Sequence, residues 1–115
     1  NNIYLYGLKK RNQVLQALIK SDCFIQISSF EGMSFSILEA LFLNKPMLLS
    51  NIDPNFETAK SAAIYINQIS VKQIREGLKL FREENMRTLL SKNSHTISKK
   101  FYDKNASLDS YYNEL

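Results

Sequence analysis

Glu31 and Glu39 stand eight positions apart in the stretch "SSFEGMSFSILEA", residues 28–40, with one glycine, two serines and four apolar residues between them. Carboxylates repel a phosphate, but they accept hydrogen bonds from hydroxyls, which is how proteins hold ribose and sugars. The segment between them reads as the start of a helix. Its first amides, at residues 33–36, would offer donors to an anion, with the positive end of the helix dipole behind them. Gly32 and Ser34 are small enough to let the backbone approach a phosphate closely. A diphosphate on the helix, a sugar by Glu31 and a ribose by Glu39 is therefore a self-consistent arrangement. A purely structural alternative stays open beside it. Ser36 and Glu39 match a Ser-x-x-Glu capping box, and an acidic Glu31 complements a helix N-terminus.

The elements around this stretch alternate between two periods. "NIYLYG" reads as a strand that ends at Gly7. "NQVLQALIK" carries apolar residues at 14, 15, 18 and 19, one face of a helix, with Asn12 as its N-cap. "CFIQIS" is a second strand. "SFSILEALFL" is helical and is ended by Asn44 and Pro46. "PMLLS" is a third, buried strand. "DPNFETAK" opens a short helix with a capping Asp53 and Pro54 in its first turn. "AAIYIN" is the fourth strand, and Ser70 with Gln73 forms a capping box ahead of a helix with apolar residues at 71, 74, 78 and 81. From about Ser94 a last helix lines up Ile97, Phe101, Leu108, Tyr111 and Leu115. Four alternations of strand and helix predict βαβ units, hence an α/β fold with a parallel sheet. Ligands of such sheets bind outside the carboxyl ends of the strands, and the glutamate stretch falls at one of those ends.

The totals bound the function. A chain of 115 residues fits one domain, 1–115, and its 44% hydrophobic and 23% charged residues are those of an ordinary soluble globular protein. The net charge of +4 favours anionic ligands or a negative membrane surface, but the basic residues are dispersed, which argues against nucleic acid. The compact run Lys9-Lys10-Arg11 reads as a solvated loop. Cys23 is the single cysteine, so no intramolecular disulfide forms, and among apolar neighbours it reads as a buried, inert thiol in a reducing compartment. His95, the single histidine, reads as a surface or capping residue. No run approaches the ~18 apolar residues of a membrane span, and no metal-ligand cluster is visible. The chain lacks an initiator Met and starts almost on a strand, as expected of a piece of something longer.

The stretch "SSFEGMSFSILEALFLNKPMLLSNI" resembles the donor-binding segment of the retaining glycosyltransferases of the GT-B fold, family 4, whose signature is a glutamate, seven residues and a second glutamate. "NIYLYG", "SNIDPNFETAKSAAIYIN" and "ISKKFYDKNASLDSYYNEL" resemble the flanking parts of the same domain, in order. The resemblance implies a partial Rossmann-like C-terminal domain of about four strands flanked by helices. The first strands of that domain, the Arg/Lys pair placed on them and the N-terminal acceptor domain would be absent. It implies that Glu31 is the catalytic residue and contacts hydroxyls of the transferred sugar, and that Gly32, Met33, Ser34, Phe35 and Ser36 line the diphosphate. Glu39 would hold the ribose, Gly7, Leu8 and Lys9 would lie near the base, Glu57 would be peripheral, and Phe30 and Phe35 would pack inside. The family usually has glycine where Ser34 stands and another before the proline, where this chain has Asn44-Lys45. The implied function is the donor half of an enzyme that moves a sugar from a UDP or GDP sugar to a glycan or lipid acceptor. It would act without metal or other cofactor, in the cytoplasm or at the inner face of the membrane, and the 115 residues alone would be inactive. An open sheet edge would make the piece re-pair "NIYLYG" beside "CFIQIS" or dimerise. The rival readings are a non-catalytic half-domain that binds a nucleotide or a partner, and another GT-B enzyme such as a sugar-nucleotide epimerase.

Overall fold

A computed structural model describes residues 3–29, 32 and 34–104. Three short strands form one parallel sheet in the order β1-β2-β3: β1 Phe24–Gln26, β2 Met47–Ser50 and β3 Ala63–Ile66. The register pairs Phe24 with Met47 and Met47 with Ala63. Five helices surround it: α1 Arg11–Lys20, α2 Phe35–Phe42, α3 Asp53–Ala59, α4 Val71–Leu80 and α5 Glu84–Lys104. A single 3-10 turn, Lys60–Ala62, links α3 to β3. The Rossmann-like parallel fold is therefore present, with three strands among the described residues.

The sheet is covered on both faces, and β2 is buried at every position. Met47, Leu48, Leu49 and Ser50 are all buried, as in the fully covered strands of parallel sheets. Met47 and Leu49 join Ile37, Ala40, Leu41, Ala59 and Ala62 on one face, under α2 and α3. Leu48 points the other way and joins Ile66, Phe81 and Leu90 beneath α4 and the first half of α5. Helix α5 serves both layers, since Met86 and Leu90 pack with Leu48 while Ile97 packs with the opposite cluster. It also crosses under the start of β2, where Ser91 Oγ donates to the Asn44 carbonyl and the buried Ser94 Oγ to that of Lys45.

Helix ends follow from local chemistry, with corrections. Asn44 takes the left-handed conformation at φ 59°, and the Lys45 and Asn44 amides return to the carbonyls of Ala40 and Leu41, closing α2 in a Schellman motif. Asn44 thus serves where a glycine is commoner. Ser70 caps α4 by accepting from Gln73 N–H, but the Gln73 side chain turns to the amides of Asn67 and Gln68. Asn12 lies inside α1, whose N-cap is Lys10 with its amide donating to Gln13 Oε1. Asp53 sits in the first turn of α3 and makes no cap hydrogen bond, the N-cap being Ile52. Helix α5 starts at Glu84, ten residues ahead of Ser94.

The expected first strand is the largest difference. Residues 3–6 join no ladder and do not pair with β1. Ile3, Tyr4, Leu5 and Tyr6 are 79%, 69%, 94% and 71% exposed, and the two tyrosine rings stack on one side of the chain with centroids 6.3 Å apart. A strand holds only when a neighbour fills its ladder and something covers its face. Here β1 offers three residues, and α1, the helix that would provide cover, buries none of its own.

Candidate functional site

The start of α2 positions the candidate site. Ser34 is its N-cap, extended at φ −98° and ψ 119°, and its Oγ accepts from the Ile37 amide at 3.3 Å. This backbone conformation is open to any residue, so no glycine is required at position 34. The hydroxyl is also bonded to the Gln26 side chain at 3.2 Å, which ties the helix start to the end of β1. The expected capping box of Ser36 and Glu39 is therefore not formed. Ser36 is the second helical residue, and the first-turn donors move to residues 35–37, of which the Ile37 amide is spent on the cap.

Glu39 is released from capping and does something else. It is only 7% exposed, among Ile37, Leu38, Ala40 and Leu41 at 1% or less. A carboxylate in such surroundings needs a charged or donor partner. It finds one on α1: Arg11 Nη2 donates to Glu39 Oε1 at 3.0 Å. The guanidinium end of the pair is in water, with Arg11 47% exposed, so the pair contributes at most about 1 kcal/mol to stability.

Beside the pair lies a cleft of about 500 Å³ walled by α1, β1 and α2, which gathers Lys9, Arg11, Cys23, Ile25, Ser36 and Glu39. Of the residues expected at a donor site, the cleft unites Lys9, Ser36 and Glu39. Gly7, Leu8, Gly32, Ser34 and Phe35 do not line it, and Glu31 and Met33, with Phe30, lie outside the described residues. Gly7 has φ 68°, a conformation that favours glycine, and Leu8 is fully exposed beside it. A Cβ at Gly32 would meet nothing within 4 Å among the described residues. Phe35 is 56% exposed, contrary to the packing role expected of it. Arg11 is the site residue that sequence reasoning missed, although the basic run 9–11 at the head of a helix with no acid in its first turn was its signal.

Other singled-out residues lie elsewhere. Glu57 is exposed on α3, and His95 is exposed in the middle of α5, where it lines a separate cleft of about 630 Å³ with Lys45, Arg87 and Lys92. No group of three potential metal ligands, and no helix long and apolar enough to cross a membrane, occurs among the described residues. Cys23 is half-buried, and burial pushes its thiol above the ordinary 9.0, with Asp22 adding to the shift and Arg87 opposing it. Only the thiolate attacks electrophiles, so an inert thiol follows. Iodoacetamide should modify Cys23 more slowly in the native than in the urea-unfolded chain, with the native rate rising only in a pH range above that of the unfolded thiol. A native rate equal to the unfolded one would contradict this. Because the folded thiol resists ionisation, stability is lost as pH climbs through that range and is unaffected below it.

The model of the family described as "Glycosyl transferases, group 1" matches residues 1–98. The chain belongs to the group 1 glycosyltransferases. The match spans the exposed segment ahead of α1, the whole sheet and most of α5, so this glycosyltransferase domain includes both walls of the cleft. No curated protein and no solved structure matches the chain. Group 1 membership carries a transferase function and, in general, binding of a nucleotide sugar and an acceptor.

Proposed function

We propose that these residues form the donor-binding part of a retaining, family 4 glycosyltransferase of the GT-B type, which takes its sugar from a UDP or GDP sugar. The observation that carries the reading is Glu39: a nearly buried carboxylate on a cleft rimmed by Lys9 and Arg11, one turn into a helix whose N-terminus opens beside it. In this arrangement Glu39 accepts from the ribose hydroxyls and the α2 N-terminus with residues 32–36 receives the diphosphate. Glu31 contacts the transferred sugar, and the loop Gly7-Leu8-Lys9 meets the base. Catalysis rests on positioning and on stabilising the leaving diphosphate, with no metal or cofactor required. The acceptor, a glycan or a lipid, is held by a preceding domain of the same enzyme, and the 115 residues alone are inactive. The enzyme works in the cytoplasm or at the inner face of the membrane.

Calorimetric titration of the intact natural protein with UDP and GDP tests the site. Glu39→Ala should weaken the better nucleotide about ten- to a hundredfold, the loss expected for hydrogen bonds to a charged group of about 1.5–3 kcal/mol. Unchanged affinity in a folded variant would remove Glu39 from the site. The absence of any nucleotide binding by the intact protein would instead favour a partner-binding module. One observation speaks for that second reading, the exposed apolar run from Ile3 to Leu8.

A further inference from the structure

Arg11 is placed where the helix that carries it gains nothing from a cation. It is the first residue of α1, preceded by Lys9 and Lys10, and the first turn contains no acid. Positive side chains at a helix N-terminus oppose the macrodipole. The capping of that end is done by Gln13, which accepts from the Lys10 amide. What Arg11 does do is reach 28 residues along the chain to Glu39 Oε1. A glutamate side chain has three rotatable bonds, and a fixed guanidinium contact removes most of that freedom. One carboxylate oxygen is engaged by Arg11, and a carboxylate has about four acceptor directions in all, so it retains capacity for a vicinal diol.

We infer that Arg11 is a positioning residue that holds the Glu39 carboxylate toward the cleft and so makes the site selective for a nucleotide with an intact ribose 2′,3′-diol. The inference rests on the proposed ribose role of Glu39 and adds the group that gives it that role. Arg11 is half in water, so truncating it removes the contact without opening the core.

The test is a comparison of two probes on the intact protein, the ribonucleoside diphosphate that binds and its 2′,3′-dideoxy analogue. The wild type should prefer the ribonucleotide by about tenfold or more. Arg11→Ala should weaken the ribonucleotide about five- to tenfold and leave the dideoxy analogue unchanged, so that the preference collapses. Arg11→Lys, which keeps charge and reach but not the planar fork, should restore part of the preference. Circular dichroism checks the fold, and Arg11→Gln gives the same comparison should the alanine variant not fold. Equal weakening of both probes would overturn the inference, since it would assign Arg11 to the diphosphate or to general stability. A preference lost in Glu39→Gln but retained in Arg11→Ala would also overturn it, while leaving the ribose reading intact. A wild type with no preference for the diol, or one whose preference survives Glu39→Gln, would remove the ribose reading and this inference with it.

Discussion

Leu48→Ala should lower the unfolding free energy by about 2–5 kcal/mol, the cost of a cavity left by a fully buried leucine. Leu48 is 0% exposed in the middle of β2, the strand hydrogen-bonded on both sides, and it anchors the cluster with Ile66, Phe81 and Leu90. Native domains hold only about 5–15 kcal/mol in total, so this one truncation removes a large part of the margin. Urea denaturation followed by circular dichroism measures it, with a shifted midpoint and an unchanged slope. A loss below about 1 kcal/mol would mean that the α4 side of the sheet is not closely packed.

Gly77→Val should be the next most damaging change, at about 1–3 kcal/mol. Gly77 is the buried residue of α4, and a Cβ built there would stand 2.6 Å from Leu48 Cδ1 and 3.2 Å from Cδ2. The absence of a side chain is what lets the helix approach the central strand. Two effects compete in the milder Gly77→Ala: about 1 kcal/mol of helix propensity is gained, and the contact with Leu48 is overfilled. Removing Leu48 should decide the contest. In the Leu48→Ala background the crowding is gone, and Gly77→Ala should become stabilising. The double-mutant cycle should show coupling of about 1 kcal/mol or more, and additive effects would mean that α4 and β2 do not meet through this pair.

Periodicity alone was enough for much of this fold. The continuous apolar run of β2, the Asn-Lys-Pro end of α2 and the serine cap of α4 each have one physical reading, and each is found in place. The failures have physical causes too. Residues 3–6 have strand composition, but pairing is decided by neighbours and not by propensity. Helix α5 was seen only in its second half because its inward stripe, Met86, Leu90, Ser94, Ile97 and Phe101, has a buried serine at its centre, which hides the continuity from any hydrophobic reading. Two serines two positions apart both suit a helix cap, and the hydrogen bond to Gln26 favours Ser34 over Ser36. The glutamate spacing singled out Glu39, which lines the candidate cleft, whereas the arginine that engages it is distant in sequence and stands in a run that looks like ordinary solvated charge.

Helix α5 rests its first half on one layer of the sheet, its second on the other, and its two middle serines on the chain entering β2. Lifting the centre of that helix therefore uncovers both layers in a single fluctuation. Their amide hydrogens should be released to solvent together, as one cooperative unit and not as two shells of different protection. The exposed residues 3–6 stand outside that unit, whereas α1 is tied to it by Leu18, which packs on the first layer, and by the Arg11–Glu39 pair, so the two walls of the cleft should gain and lose protection together.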